Sequence, residues 1–235
     1  MSDITKSADV SGLAALREEL EEINKYALCP MRPEDVFAFK MAVCGNEVDR
    51  DGEAFTTDAL EALAGLLIGK TVIADHVPSA HNQTARIYRT YTESNPDIPT
   101  KTGESYVRLM AHCYMLRTPG NAETIAEIEG GIRKEVSIGC SVASVTCSVC
   151  GAKRGECRHR SGQTYDGALC YFKLENPVDA YEVSFVAVPA QTEAGVRKRA
   201  SVPEEKEKNH KESKTAPAIW LARAFLKSTE KEYNR

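Results

Sequence analysis

Glu135-Val136-Ser137-Ile138-Gly139-Cys140 leads within a few residues to Cys147-Ser-Val-Cys150-Gly-Ala-Lys-Arg-Gly-Glu-Cys157-Arg-His159. The first segment predicts a strand over 135–145, and Glu182-Val-Ser-Phe-Val-Ala-Val-Pro-Ala190 predicts its counterpart over 181–188. The cysteine-rich segment between them, 146–171, reads as an insertion joining two core strands. Two cysteines in a CxxC pair, then a cysteine and a histidine close behind, offer four soft donors for a tetrahedral structural zinc. The expected ligands are Cys147, Cys150, Cys157 and His159, with Cys170 either a replacement for His159 or a bystander. A glycine-rich loop of this kind has little apolar surface of its own. Zinc ligation supplies on the order of 10 kcal/mol of local folding free energy.

Four protein ligands close the coordination sphere, whereas a catalytic zinc keeps one position for water. The same segment carries Lys153, Arg154, Arg158 and Arg160, but no aromatic residue is interleaved among them. That pattern disfavours a nucleic-acid-binding knuckle.

Working outward, Leu13, Leu16, Leu20 and Ile23 fall on one helical face over 11–26, with Ser11 as N-cap and the Glu18-Glu19 and Glu21-Glu22 pairs on the solvated side. Val36–Val43 reads as a strand, followed by a polar loop through Gly52. A helix over 58–68 presents Leu60, Leu63 and Leu67 on one face, with Asp58 and Glu61 as a capping box and Gly69 as its stop. Thr71–Ala74 is a short strand running into Asp75-His76. Thr84–Thr92 and Tyr106–Leu116 alternate as strands around a loop holding Pro96, Pro99 and Gly103, and Asn121–Glu129 is a short helix. The fold class is therefore α+β, rich in antiparallel strand, with flanking helices and a zinc-stapled loop.

The chain divides into an N-terminal helix (1–30), a main domain (31–196), a disordered linker (197–215) and a C-terminal amphipathic helix (216–235). The linker is dominated by Lys, Arg, Glu and Ser, too polar to offset ordering entropy. Beyond it Ile219, Trp220, Leu221, Ala222, Phe225 and Leu226 make an apolar helical stripe. A net charge of −4 gives no global basic field to attract nucleic acid or an anionic membrane. No apolar run approaches the roughly 20 residues of a membrane span. The polar start lacks a signal-peptide core, so the 8 cysteines read as reduced thiols rather than a disulfide framework.

Ser137 is a candidate nucleophile, with Gly139 leaving room for close approach to the backbone. His76, at the end of strand 71–74, is a candidate base. A strand serine is also often an ordinary hydrogen-bonded group, and Glu182 either orients an imidazole or pairs with an arginine such as Arg86. His81 reads as a surface group and His112 as a structural histidine within a strand. Spacing leaves these alternatives open.

The ordered set of motifs resembles the tailed-bacteriophage prohead proteases, capsid-maturation serine proteases with a fold similar to herpesvirus assemblin. In order these are an Asp-Gly loop and helix (Asp49–Ile68), Asp75-His76 ending a strand and the strand Ala85-Arg86-Ile87-Tyr88. A helix with a Gly pair, Val136-Ser-Ile-Gly139 and Glu182 to Ala190 follow. The resemblance covers about 35–196 and implies a mostly antiparallel, barrel-like β core. It implies Ser137 as nucleophile, His76 as general base and Glu182 as third member, with Asp179 behind it. Backbone amides near Ser137, with a basic side chain such as Arg133, would stabilise the oxyanion. It departs at Cys140, where an aromatic residue is usual, and at Ala85, where glycine is usual.

The implied activity is endoproteolysis of scaffold, major capsid precursor and the chain itself. The implied setting is the host cytoplasm, inside the assembling prohead, with homo-oligomerisation possible and no membrane partner. The linker 197–215 is then the expected self-cleavage region, and the 216–235 helix either docks on scaffold or capsid or folds back on its own core. A non-enzymatic, zinc-stapled assembly factor is the alternative.

Overall fold

The computed structural model describes residues 17–197. The linker from 198 onward and the C-terminal helix, like Ser11, Leu13 and Leu16, lie outside the described residues. Helix α1 occupies residues 17–23 of the described chain. It seats Ile23 against Val36 and Tyr88. Glu22, expected in solvent, bonds the Arg89 guanidinium at 2.8 Å and packs this segment against the sheet.

The strands are β1 (Val36–Gly45), β2 (Glu53–Phe55), β3 (Thr71–Ala74), β4 (Ala85–Pro99), β5 (Ser105–Leu116), β6 (Val136–Cys147), β7 (Thr164–Tyr165), β8 (Ala168–Leu169), β9 (Phe172–Phe185) and β10 (Gly195–Arg197). Helices α2 (Thr57–Leu67) and α3 (Ala122–Glu129) complete the set. Among the described residues the main sheet runs β10-β1-β5-β4-β3-β9-β2, with β6 also paired to β9.

The α+β class holds. The strand pairs are mostly antiparallel, as expected, but the core is not purely so and its barrel-like form needs correcting. Both β2 and β3 lie parallel to β9, so the sheet is mixed. It is also not a closed barrel: near the start of β6 a single isolated bridge, Glu135 to Gly195, links its two sides. Helix α2 joins β2 to β3 as a crossover, which lets both strands run in the same direction beside β9.

Leu60, Leu63 and Leu67 of α2 are fully buried against the sheet. Burying each contributes roughly 1.5–3 kcal/mol relative to exposure. The N-cap of α2 is Thr56, whose hydroxyl accepts the Ala59 amide at 3.3 Å, rather than an Asp58 box. The expected cap lies two residues too late because Thr56-Thr57-Asp58 holds three residues able to cap. Gly69 ends the helix with φ +78, where a glycine stop belongs.

Three further strand boundaries differ. β4 continues through Asn95 and Asp97 to Pro99, held by its pairing with β5. β9 begins at Phe172 and ends at Phe185, so it starts immediately after the inserted loop and stops short of 188. Arg197, assigned to the linker, belongs to β10 and pairs with Lys40. In each case cross-strand pairing overrides a local pattern that reads as loop or strand.

Candidate active site and metal centre

β9 places the proposed catalytic residues. On one side β3 runs parallel to it, with Ile73 opposite Ser184 and Ala74 opposite Phe185. On the other side β6 is antiparallel, with Ser137 opposite Ser184 and Gly139 opposite Glu182. Residues opposite each other in such a pair project from the same face, with Cβ atoms about 5 Å apart. Ser137, Gly139, Glu182 and Ser184 therefore share one face. Their sequence neighbours Val136, Val183 and Phe185 are buried in the core.

His76 reaches that face through a tight turn after β3. Asp75 and His76 both have positive φ, 55° and 53°, and the Val77 amide donates to the Ala74 carbonyl at 3.1 Å. Left-handed backbone at two consecutive non-glycine residues is costly and persists where its surroundings impose it. Here the Asp75 amide donates to the Phe185 carbonyl at 2.9 Å. Asn82 Nδ2 donates to the carbonyls of Ala74 and Val77 at 2.7 and 2.8 Å.

With the turn fixed, the His76 amide donates to Ser184 Oγ at 2.9 Å, and His76 Nδ1 lies 2.8 Å from Glu182 Oε1. The carboxylate side chain is only 10% exposed, while the imidazole is 43% exposed. A carboxylate on Nδ1 favours the tautomer with its proton there, leaving Nε2 as the acceptor nitrogen. Glu182 Oε2 is buried with no hydrogen-bond partner among the described residues.

The open alternatives resolve on geometry. Glu182 pairs with His76, while Arg86 donates to the Gly69 carbonyl and to Gln83. Asp179 bonds Lys70 at 3.2 Å instead. Arg133 is paired with Glu127 at 2.8 Å, which holds its guanidinium toward α3. His81 is exposed on a short 3-10 turn. His112 is buried edge-on to Tyr88 and Tyr91. Cys140 is a neutral thiol, pushed up to about 11 by burial and by the Glu182 charge, and does not compete as a thiolate nucleophile.

Sequence reasoning missed two contributors. Ser184 was visible within the Glu-Val-Ser motif, but only the strand register shows it between Ser137 and the His76 amide. Asn82 gave no local signal, since its function is to bind carbonyls in a preceding turn. Gly139 was read as space for substrate; in the structure that space holds the Glu182 carboxylate.

The second centre lies beyond the other end of β6. The donor atoms of Cys147, Cys150, Cys157 and His159 all lie within 4.8 Å of one another, close enough to hold a metal ion. Burial pushes the Cys147 thiol up, but the amides of Cys150 and Val149 and the neighbouring thiols outweigh it, bringing it down to about 6. Cys170 lies 3.9 Å from the Cys147 sulfur and is pushed up to about 11 by burial and by Cys147. The four clustered donors include His159 and leave out Cys170.

His159 is set by Tyr165, whose ring stands edge-on to it at 4.5 Å. Tyr165 belongs to the β7–β8 hairpin, turned at Asp166-Gly167 with both φ positive, the arrangement of a two-residue hairpin loop. Compared with known families, curated proteins and solved structures, the chain matches none.

Proposed function

We propose that this chain is a serine endopeptidase of phage head maturation that cleaves scaffold, capsid precursor and its own chain. The observation that carries the chemistry is the 2.8 Å contact between His76 Nδ1 and Glu182 Oε1, on the strand paired with the one bearing Ser137. The viral setting and the substrates rest on the ordered motifs around Asp75-His76, Val136-Ser-Ile-Gly139 and Glu182-Val-Ser.

In this mechanism His76 Nε2 takes the Ser137 hydroxyl proton as the oxygen attacks the scissile carbonyl. Glu182 holds the imidazole tautomer and stabilises the imidazolium. The tetrahedral intermediate collapses as His76 returns the proton to the leaving amine, giving an acyl-enzyme on Ser137. A water, deprotonated by the same nitrogen, then releases the acid product. Backbone amides near Ser137 stabilise the oxyanion, since Arg133 is held by Glu127.

The metal is proposed to be zinc, held by Cys147, Cys150, Cys157 and His159 in a closed, structural site. Three sulfurs and one imidazole suit Zn²⁺ by ligand softness and number.

Intact-mass measurement on the purified full chain tests the reading. Truncation within 197–215 that vanishes in Ser137→Ala supports it. A chain that stays whole, or truncation that survives the substitution, counts against it.

A further inference from the structure

The insertion holding the metal is not a remote appendage. The Arg154 amide donates to the Val145 carbonyl at 2.9 Å, and Lys153 bridges Thr146, folding the loop back on β6. From there the Arg154 guanidinium covers the Phe172 ring at 4.6 Å and pairs with Glu53 on β2 at 2.5 Å. Ser161 farther along the loop donates to the Gly52 carbonyl at 3.0 Å.

Arg154 and Glu53 also line an open cavity of about 390 Å³ that has Ser137 on its border. Ile138, Val142 and Leu174, which also pack against the core, line its apolar part, and Arg154 is its basic member beside the acidic Asp49, Asp51 and Glu53. Between Val136 and Ser144, β6 has a partner strand on one side only, β9, among the described residues. The cavity thus continues from the proposed nucleophile toward the metal loop.

We infer that the metal loop is a wall of the peptide-binding site and that Arg154 is the residue through which it acts. Metal ligation fixes the Cys147–Cys150 turn. That turn sets Arg154 between Phe172 and Glu53, and Arg154 sets the width and charge of the cavity where the peptide lies. This rests on the hydrolase reading above. Its added content is that metal occupancy governs peptide affinity without touching the proton-transfer groups. Arg154 is a positioning residue in this scheme, since it meets neither Ser137 nor His76.

The test uses the full, metal-loaded chain and a fluorogenic peptide spanning the bond cut in self-processing. Arg154→Ala is expected to raise KM about tenfold, with kcat within about twofold. Metal content and the rate at which a small fluorophosphonate labels Ser137 should not change. Arg154→Lys should recover part of the KM, and chelation should raise KM in the wild type in the same direction. An unchanged KM in Arg154→Ala overturns the inference while leaving the hydrolase reading intact. So does a KM rise accompanied by metal loss, which would make Arg154 only a brace of the loop. Absence of Ser137 labelling in the wild type overturns the hydrolase reading itself, and this inference with it.

Discussion

Gly139 lies directly across the β6–β9 ladder from Glu182, and a Cβ at position 139 would clash with the Glu182 carboxylate oxygen that binds His76. The glycine is therefore a spatial requirement of the Glu182–His76 pair, not of backbone conformation. Gly139→Ala should force the carboxylate off Nδ1. The expected result is a fall in Ser137 labelling by a fluorophosphonate of about 10²-fold or more, in the range seen when a triad histidine loses its orienting acid. Far-ultraviolet circular dichroism should be unchanged, and normal labelling in this variant would remove Glu182 from the mechanism.

Asn82→Ala removes two hydrogen bonds to the turn that carries His76. Each is worth about 1 kcal/mol, so thermal unfolding should report a loss of roughly 1–2 kcal/mol. Self-processing should slow by more than that stability loss explains, because the left-handed pair Asp75-His76 relaxes once Asn82 no longer ties the flanking Ala74 and Val77 carbonyls together. Equal rates in variant and wild type would show that the turn holds without Asn82.

Elemental analysis of the purified chain should find one zinc per molecule. Cys147→Ser and His159→Ala should lower metal affinity by at least about tenfold, and chelation should open 148–169 to proteolysis. Cys170→Ser should retain the metal, because Cys170 lies outside the cluster formed by the other four donors. Loss of metal in Cys170→Ser with retention in His159→Ala would exchange the two assignments.

His112 gives a pH dependence unrelated to catalysis. Burial, with Lys40 and Arg89 nearby, holds it down at about 4, while Glu22 opposes the shift and Glu19 lies 3.8 Å away. The unfolded chain takes up this proton near pH 6.5 and the folded chain only near 4. Stability is therefore complete above about 6.5 and falls as pH drops toward 4, by up to about 3 kcal/mol. Thermal melts across that window should show the decline in the wild type and a flatter profile in His112→Gln. Parallel profiles would place the acid sensitivity elsewhere.

What the sequence revealed follows from how local each signal is. The periodicity of Leu60, Leu63 and Leu67 and the CxxC pair are short-range patterns, and both appear in the structure. The mixed character of the sheet was not legible, because parallel entry of β3 beside β9 joins segments more than 100 residues apart. The same distance hid Ser184's contact with His76, left Asp179 as a second choice behind Glu182, and left Glu182 with either an imidazole or Arg86 as its partner on paper. Gly139 was noticed for the right chemical reason, its small size, but the group that needs the space is a carboxylate from the next strand.

Fluorophosphonate labelling read by peptide mass spectrometry tests the catalytic claim most directly. The account predicts one adduct per chain, on Ser137, formed at least about 10²-fold more slowly in His76→Ala, with the fold retained. An unmodified Ser137 in the folded, metal-loaded wild type, or equal labelling with and without the imidazole, would contradict it.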